Sequence, residues 1–362
     1  MKPYEPGVLP IDSLNWGSYV RLIGQANAAL ARFDGVLQGI INPGVLLSPM
    51  TTQEAVLSSR IEGTRATLEE VLAFEAAPSE KTAKYEDIQE IINYRRAMNA
   101  AVSALDERPI SLNLIRDVHS TLLDGVRGQN KARGDFRRLQ NWIGTPGSTI
   151  DTATYVPPAP QYLMDYLSNW EKYVHYDEED KLVQLAIIHA QFELIHPFLD
   201  GNGRVGRILI PLFLFEKEML SSPMFYLSEY LESHRSEYYE HLRGISEEGD
   251  WDSWIKFFLD AVTKQAKVNC NKAISILNLY NKMKKDVPAI THSRYSIPAI
   301  DALFTKPVFT VSEFTRLSKI PVRSALRLLS ALQDNGILTT VNAGGGNRPA
   351  VFTFSHLLEI VG

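Results

Sequence analysis

Residues 182–195, LVQLAIIHAQFELI, and 204–220, RVGRILIPLFLFEKEML, are two helix-length segments built around runs that are apolar on every side. A helix that is apolar on every side must be buried in a larger body, and neither segment approaches the length of a membrane span. Two such segments eight residues apart therefore require a helical body packed around both. The residues between them, HPFLDGNG, are polar and glycine-rich, so a sharply turning loop joins two buried helices.

The surrounding sequence agrees with a mainly helical chain. TTQEAVLSSRIEGT carries a capping box, Thr51 with Glu54, and a stop at Gly63. TLEEVLAFEA repeats the device with Thr67 and Glu70. Residues 84–106, 110–124 and 160–175 read as amphipathic helices, and residues 234–284 continue in the same way. The segment 137–158 breaks the pattern: RLQNWIG and ATYVPP flank a TPGST turn and predict a β-hairpin. The style changes near Pro288. Residues 296–362 predict three short helices and a hairpin around Gly344–Gly346, with a capping box at Thr310 and Glu313, Pro321 opening a helix and Gly336 closing it. The expected units are 1–85, 86–285 and 286–362.

Composition narrows the setting. The lone Cys270 excludes an intramolecular disulfide, and the N-terminus lacks the apolar run of a signal peptide, so a cytoplasmic protein off the membrane is expected. The net charge of −5 is uneven. Residues 291–362 hold seven Lys/Arg and four Asp/Glu, a net of +3, which leaves −8 on the rest. Nucleic acid is therefore a partner for the tail only.

The loop itself points to a polyphosphate. Gly201 and Gly203 flank Asn202, and a run of turning amides that leads into a helix N-terminus favours an anion. Arg204 and Arg207, three residues apart, are cations at the wrong end of a helix unless an anion joins them. Asp200 offers the hard oxygen that Mg2+ takes together with substrate phosphates. His196 titrates nearest neutrality and can take a proton from an attacking hydroxyl. Phe198, apolar in a polar loop, reads as the anchor that pins it to the core.

His196-Pro197-Phe198-Leu199-Asp200-Gly201-Asn202-Gly203-Arg204-Val205-Gly206-Arg207 resembles the Fic signature, H-x-F-x-[D/E]-G-N-G-R-x-x-R, at every fixed position. The resemblance implies a Fic-type helical bundle with a β-hairpin flap, and transfer of AMP from ATP to a Ser, Thr or Tyr hydroxyl of a protein. It makes His196 the base and Asp200 the Mg2+ ligand. The amides from Gly201 to Gly203, with Asn202 and the turn through Val205 and Gly206, would cradle phosphate, and Arg204 and Arg207 would bind the distal phosphates. The segment near 137–158 resembles the flap that clamps a target by strand addition. Tyr238 and Tyr239 are candidates for the adenine pocket.

Ser58-Ser59-Arg60-Ile61-Glu62-Gly63 fits the inhibitory pattern [S/T]-x-x-x-E-[G/N] of many Fic proteins. Glu62 ends a helix, where the dipole disfavours a carboxylate, and Arg207 needs an anion. Their pairing would occupy the guanidinium that should hold the γ-phosphate, with Ser58 one turn earlier on the same side. At the C-terminus, SEFTRLSKI and PVRSALRLLSALQDNGIL resemble the helix-turn-helix of a winged-helix domain. Val322, Ala325, Leu326, Leu329 and Leu332 form the expected apolar stripe, and Arg323, Arg327 and Arg348 are the DNA-contact candidates. The partners expected are a target protein, the chain itself included, DNA and a second copy of the chain. An alternative is a nucleotide-sensing transcription regulator, and a further one transfers UMP, phosphocholine or phosphate instead of AMP.

Overall fold

Helices dominate this computed structural model, which describes residues 2–78, 84–128, 130–145, 147–342 and 349–362. An N-terminal group holds α1 (Val20–Gln38), α2 (Pro43–Leu46), α3 (Ser48–Ile61) and α4 (Leu68–Ala76). Next come α5 (Tyr85–Leu105), α6 (Leu112–Leu122) and α7 (Leu163–Val174), then the two apolar helices α8 (Lys181–Ile195) and α9 (Asn202–Glu216). They are followed by α10 (Ser228–Ser233), α11 (Arg235–Glu248) and the long α12 (Trp251–Thr291). The C-terminal module holds α13 (Ser296–Thr305), β1 (Val308–Thr310), α14 (Val311–Ser318), α15 (Val322–Asp334), β2 (Thr339–Asn342), β3 (Val351–Thr353) and α16 (Ser355–Val361).

Local chemistry sets several of these boundaries. Asp180 caps α8 by accepting from the amides of Leu182 and Val183 at 2.9 and 3.0 Å. Thr67–Glu70 and Thr310–Glu313 are complete capping boxes. Every residue of α8 from Leu182 to Phe192 is buried, and α8 packs against α7, α9 and α12, while α1 lies along α12. Each fully buried Leu, Ile or Phe there contributes about 1.5–3 kcal/mol. No helix among the described residues is long and apolar enough to cross a membrane.

The strands form one antiparallel sheet in the order β1-β3-β2. This module packs back onto the N-terminal group: β1 lies beside α4, α13 beside α2 and α3, and α16 beside α3. Lys306 Nζ donates to the Glu75 carbonyl at 3.2 Å. Lys272 Nζ on α12 donates to the Val361 carbonyl at 2.8 Å and pairs with Glu229 at 3.0 Å.

Four expectations change. Thr51 and Glu54 do not cap a helix, because α3 already begins at Ser48 with a proline in its first turn. The Thr51 hydroxyl instead meets Tyr226 Oη at 2.6 Å, and Glu54 accepts from Ser228. Among the described residues the hairpin arms are joined by one antiparallel bridge, Ile143 with Tyr155. A 3-10 turn at Ile150–Thr152 and the Trp142 indole bond to the Ser148 carbonyl occupy the tip instead of a ladder. The helix runs through Pro288 to a left-handed cap at His292, so residue 286 lies inside α12. On α15 the buried stripe is Ala325, Leu328, Leu329 and Leu332, while Val322 and Leu326 are 58% and 50% exposed. Helical rotation places residue 328, not 326, on the side that faces α12 and α14. The Gly344–Gly346 turn and Arg348 lie outside the described residues.

Candidate active site

The loop between α8 and α9 is shaped by two left-handed residues. His196 caps α8 with φ 48°, and Gly201 caps α9 with φ 79°. A non-glycine residue in that region costs about 1–2 kcal/mol, so the surroundings must hold His196 there. Arg137 does so: it is buried, and its guanidinium donates to the carbonyls of His196 (2.9 Å), Ile195 (3.3 Å) and Pro158 (2.6 Å). A cation on the last carbonyls of a helix is also favoured by the dipole. Tyr155 adds a bond from its hydroxyl to the Leu194 carbonyl at 2.6 Å, so both flap arms are tied to the end of α8.

Phe198 is fully buried and stacks on His119 with ring centroids 3.7 Å apart. His119 Nδ1 accepts from the Gly134 amide at 2.9 Å, so its Nε2 carries the proton and donates to the Asp200 carbonyl at 3.0 Å. Burial pushes His119 down to about 4, which suits this neutral tautomer. The Asn202 carboxamide is used up inside the loop. It accepts from the Phe198 amide at 2.7 Å and donates to the Phe198 carbonyl at 2.8 Å. Asn202 can therefore offer a ligand only its backbone amide.

Gly201 provides no side-chain cap, so α9 opens with uncapped amides at Asn202, Gly203 and Arg204. Both arginines are buried. Arg204 pairs with Glu90 on α5 at 3.2 Å and with Asp200 at 3.4 Å, and its Nε has no partner among the described residues. Arg207 donates through Nε to Ser58 Oγ (2.8 Å), and through one Nη to the Ser58 carbonyl (2.9 Å) and Glu62 Oε1 (2.6 Å). Burial raises the Glu62 carboxyl, but the Arg207 charge outweighs it and holds the group below the usual carboxylate range. The pair also lies over Gly203: a Cβ there would collide with Glu62 Oε1 and come within 2.9 Å of an Arg207 Nη. The Glu62 carboxylate thus sits at the mouth of α9, where an anion is favoured.

A cleft of about 670 Å³ opens beside this pair, within the size range of small-molecule sites. Glu62, Glu193, His196, Gly203 and Arg207 line one side, the flap residues Trp142 to Thr145 another, and α11 residues from Arg235 to Ser246 the third. The His196 ring reaches the cleft. Its Nδ1 lies 3.3 Å from the Glu193 carbonyl, so Nδ1 is the donor and Nε2 is left as an acceptor. Burial lowers His196 to about 4. Of the two tyrosines, Tyr238 is buried and its hydroxyl donates to His189 Nε2 at 3.0 Å, while Tyr239 is 43% exposed beside the Arg235 guanidinium. Asp200 faces Lys131 at 3.1 Å as well as Arg204. Among the described residues no three metal-ligating side chains cluster. A single partly open carboxylate such as Asp200 could join phosphate oxygens and waters around a magnesium ion.

Sequence reasoning missed Glu90, His119, Arg137 and Glu193. Glu193 carries a readable signal, a charge inside an otherwise apolar helix. Burial pushes its carboxyl up to about 7, and its Oε1 has no partner among the described residues. The other three come from distant helices and loops and carry no local mark.

Replacing Asn202 with alanine is expected to destabilise the chain by about 1–3 kcal/mol for each Phe198 backbone group left unpaired. Calorimetric unfolding measures this. An unchanged transition would mean that the Phe198–His119 stack alone holds the loop.

The fold and the site define a helical protein built around a tight loop that opens a buried helix with uncapped amides. Residues 20–103 match the Fic/DOC family N-terminal description and residues 109–214 the Fic/DOC family itself, together more than half of the chain. The chain belongs to the Fic/DOC family. It is 27% identical over 252 residues to the protein adenylyltransferase Fic of Drosophila grimshawi, covering 67% of this chain and 45% of that protein. It is 29% identical over 182 residues to that of Drosophila virilis, covering 48% and 33%. The chain thus spans less than half the length of these curated relatives. A Fic family protein of Desulfovibrio desulfuricans superposes with a TM-score of 0.60 at 17% identity, over 97% of this chain and 98% of that one. A Fic domain containing signaling protein of Bacteroides thetaiotaomicron gives 0.55 at 15% identity, over 70% and 97%. These likenesses establish the fold.

Proposed function

We propose that the chain transfers AMP from ATP to a hydroxyl of a protein, its own included, and that Glu62 restrains this activity. The observation that carries the reading is the Arg207–Glu62 pair at the mouth of α9, in the same cleft as His196, whose Nε2 has no hydrogen-bond partner among the described residues. A carboxylate rests where a phosphate would gain most, beside an imidazole poised as a base.

In this reaction the target hydroxyl oxygen attacks the α-phosphorus as the bond to the pyrophosphate oxygen breaks. The hydroxyl proton passes to His196 Nε2, and pyrophosphate leaves. The amides at the start of α9 and Arg204 hold phosphate oxygens, and Arg207 joins them once Glu62 withdraws. Most of the rate comes from this positioning and from charge stabilisation. Mg2+, held by Asp200 with the phosphates, would offset their negative charge. The Tyr239 ring offers a face for the base, and Tyr238, anchored on His189, packs against it with ring centroids 5.1 Å apart. The flap would hold the target backbone.

Intact-mass spectrometry of a Glu62→Gly chain incubated with ATP or UTP and Mg2+ tests this. A gain of one adenylate from ATP supports the proposal. A gain of uridylate alone, or no gain with either, overturns it.

The neutral imidazole that the mechanism needs is expected across the neutral range. His196 should titrate near 4, below the ordinary 6.5, because burial disfavours its charged form. Nuclear magnetic resonance titration of the ring protons, assigned by comparison with His196→Ala, measures it. A midpoint at or above 6.5 would show a solvated ring.

A further inference from the structure

The exposed side of α14 and α15 has no role in the reaction above. Arg316 and Lys319 lie at the end of α14, and Arg323 and Arg327 lie one turn apart on α15; all four are exposed. None of them has an ion-pair or hydrogen-bond partner among the described residues. Of the acids in this module, Glu313 pairs with Lys306 and Asp301 accepts from the Tyr280 hydroxyl, while Asp334 lies two turns beyond Arg327 at the far end of α15. Four like charges within twelve residues repel one another unless an anion joins them. Val322 and Leu326 stand on the same exposed side of α15, 58% and 50% exposed, because the helix buries Ala325, Leu328, Leu329 and Leu332 instead.

We infer that this face of α14 and α15 is a binding site for duplex DNA. Guanidinium and ammonium groups meet phosphate oxygens or guanine edges, and aliphatic side chains meet thymine methyl groups, so the mixture suits the major groove. A helix carried on a helix-turn-helix beside a small antiparallel sheet can present that face to a groove. The charge distribution localises the site. Residues 291–362 carry +3 while the rest carries −8 of the total −5, so the remainder of the chain repels a polyanion. An acidic protein is the competing occupant. The density of unpaired cations over one helix-turn-helix favours the more highly charged partner.

The test uses the full chain and a fluorescein-labelled random duplex of about 20 base pairs, read by anisotropy between about 50 and 200 mM KCl. Micromolar binding is expected, with a log–log salt slope of about −3 to −4 for four phosphate contacts. Arg323→Glu with Arg327→Glu should weaken binding at low salt at least tenfold and flatten the slope by about two. Should that pair perturb folding, Arg316→Gln with Lys319→Gln gives the same readout with a smaller drop. No duplex binding at low salt overturns the inference, as does binding unchanged in both variant pairs. Retention of poly-glutamate but not duplex, lost in the Arg323/Arg327 variant, also overturns it and assigns the face to an acidic protein. The inference does not depend on AMP transfer.

Discussion

Glu62→Gly is expected to raise AMP transfer by about 10- to 100-fold over the unaltered chain. In the resting structure the Arg207 guanidinium commits its Nε and one Nη to Ser58 and Glu62. A charge-assisted hydrogen bond is worth about 1.5–3 kcal/mol, and each 1.4 kcal/mol of transition-state stabilisation is about tenfold in rate. Removing the carboxylate frees one N–H of the Nη that also holds the Ser58 carbonyl, while both bonds to Ser58 stay, so Arg207 keeps its orientation and gains room for a phosphate. The Gly203 amide is uncovered at the same time, because the Glu62 carboxylate packs over it. Initial rates of radiolabelled AMP incorporation measure the gain. Equal rates for the two proteins, with both folded, would show that the pair is structural and that the restraint lies elsewhere.

The opposite extreme is expected of His196→Ala. Placed in the Glu62→Gly background, so that the restraint does not mask it, the change should cut transfer by about 10²- to 10⁴-fold, the range of a positioned general base. ATP affinity should hardly change, because the amides of α9 and the two arginines remain and the imidazole contacts no phosphate in this scheme. Nucleotide titration by calorimetry alongside the rate assay separates the two effects. Transfer that survives within a few-fold would remove His196 from the chemistry. Loss of rate and affinity together would point to a collapsed loop, which Arg137 otherwise braces through the His196 carbonyl.

Much of this was written locally. The apolar character of residues 182–195 and 204–220 set two buried helices, and the glycines between them set the turn. The twelve residues from His196 to Arg207 were enough to name the loop, because its fixed positions act over short range. Phe198 anchors it, Asn202 clamps it and Gly201 makes its left-handed turn. Capping chemistry at Thr67 and Thr310 was equally legible, since a capping box closes within four residues. It misled at Thr51 because Tyr226 and Ser228, distant in sequence, compete for the same side chains.

What tertiary structure decided is everything that depends on two distant segments meeting. Glu62 and Arg207 are 145 residues apart, and only packing of α3 against α9 turns two awkwardly placed charges into one ion pair. His119 beneath the loop, Arg137 on the end of α8 and Glu90 behind Arg204 carry no sequence mark for the same reason. The face of α15 that meets solvent was likewise settled by its neighbours. A period of 3.6 residues defines a stripe, but which edge of the stripe is covered depends on the angle at which α12 and α14 approach it.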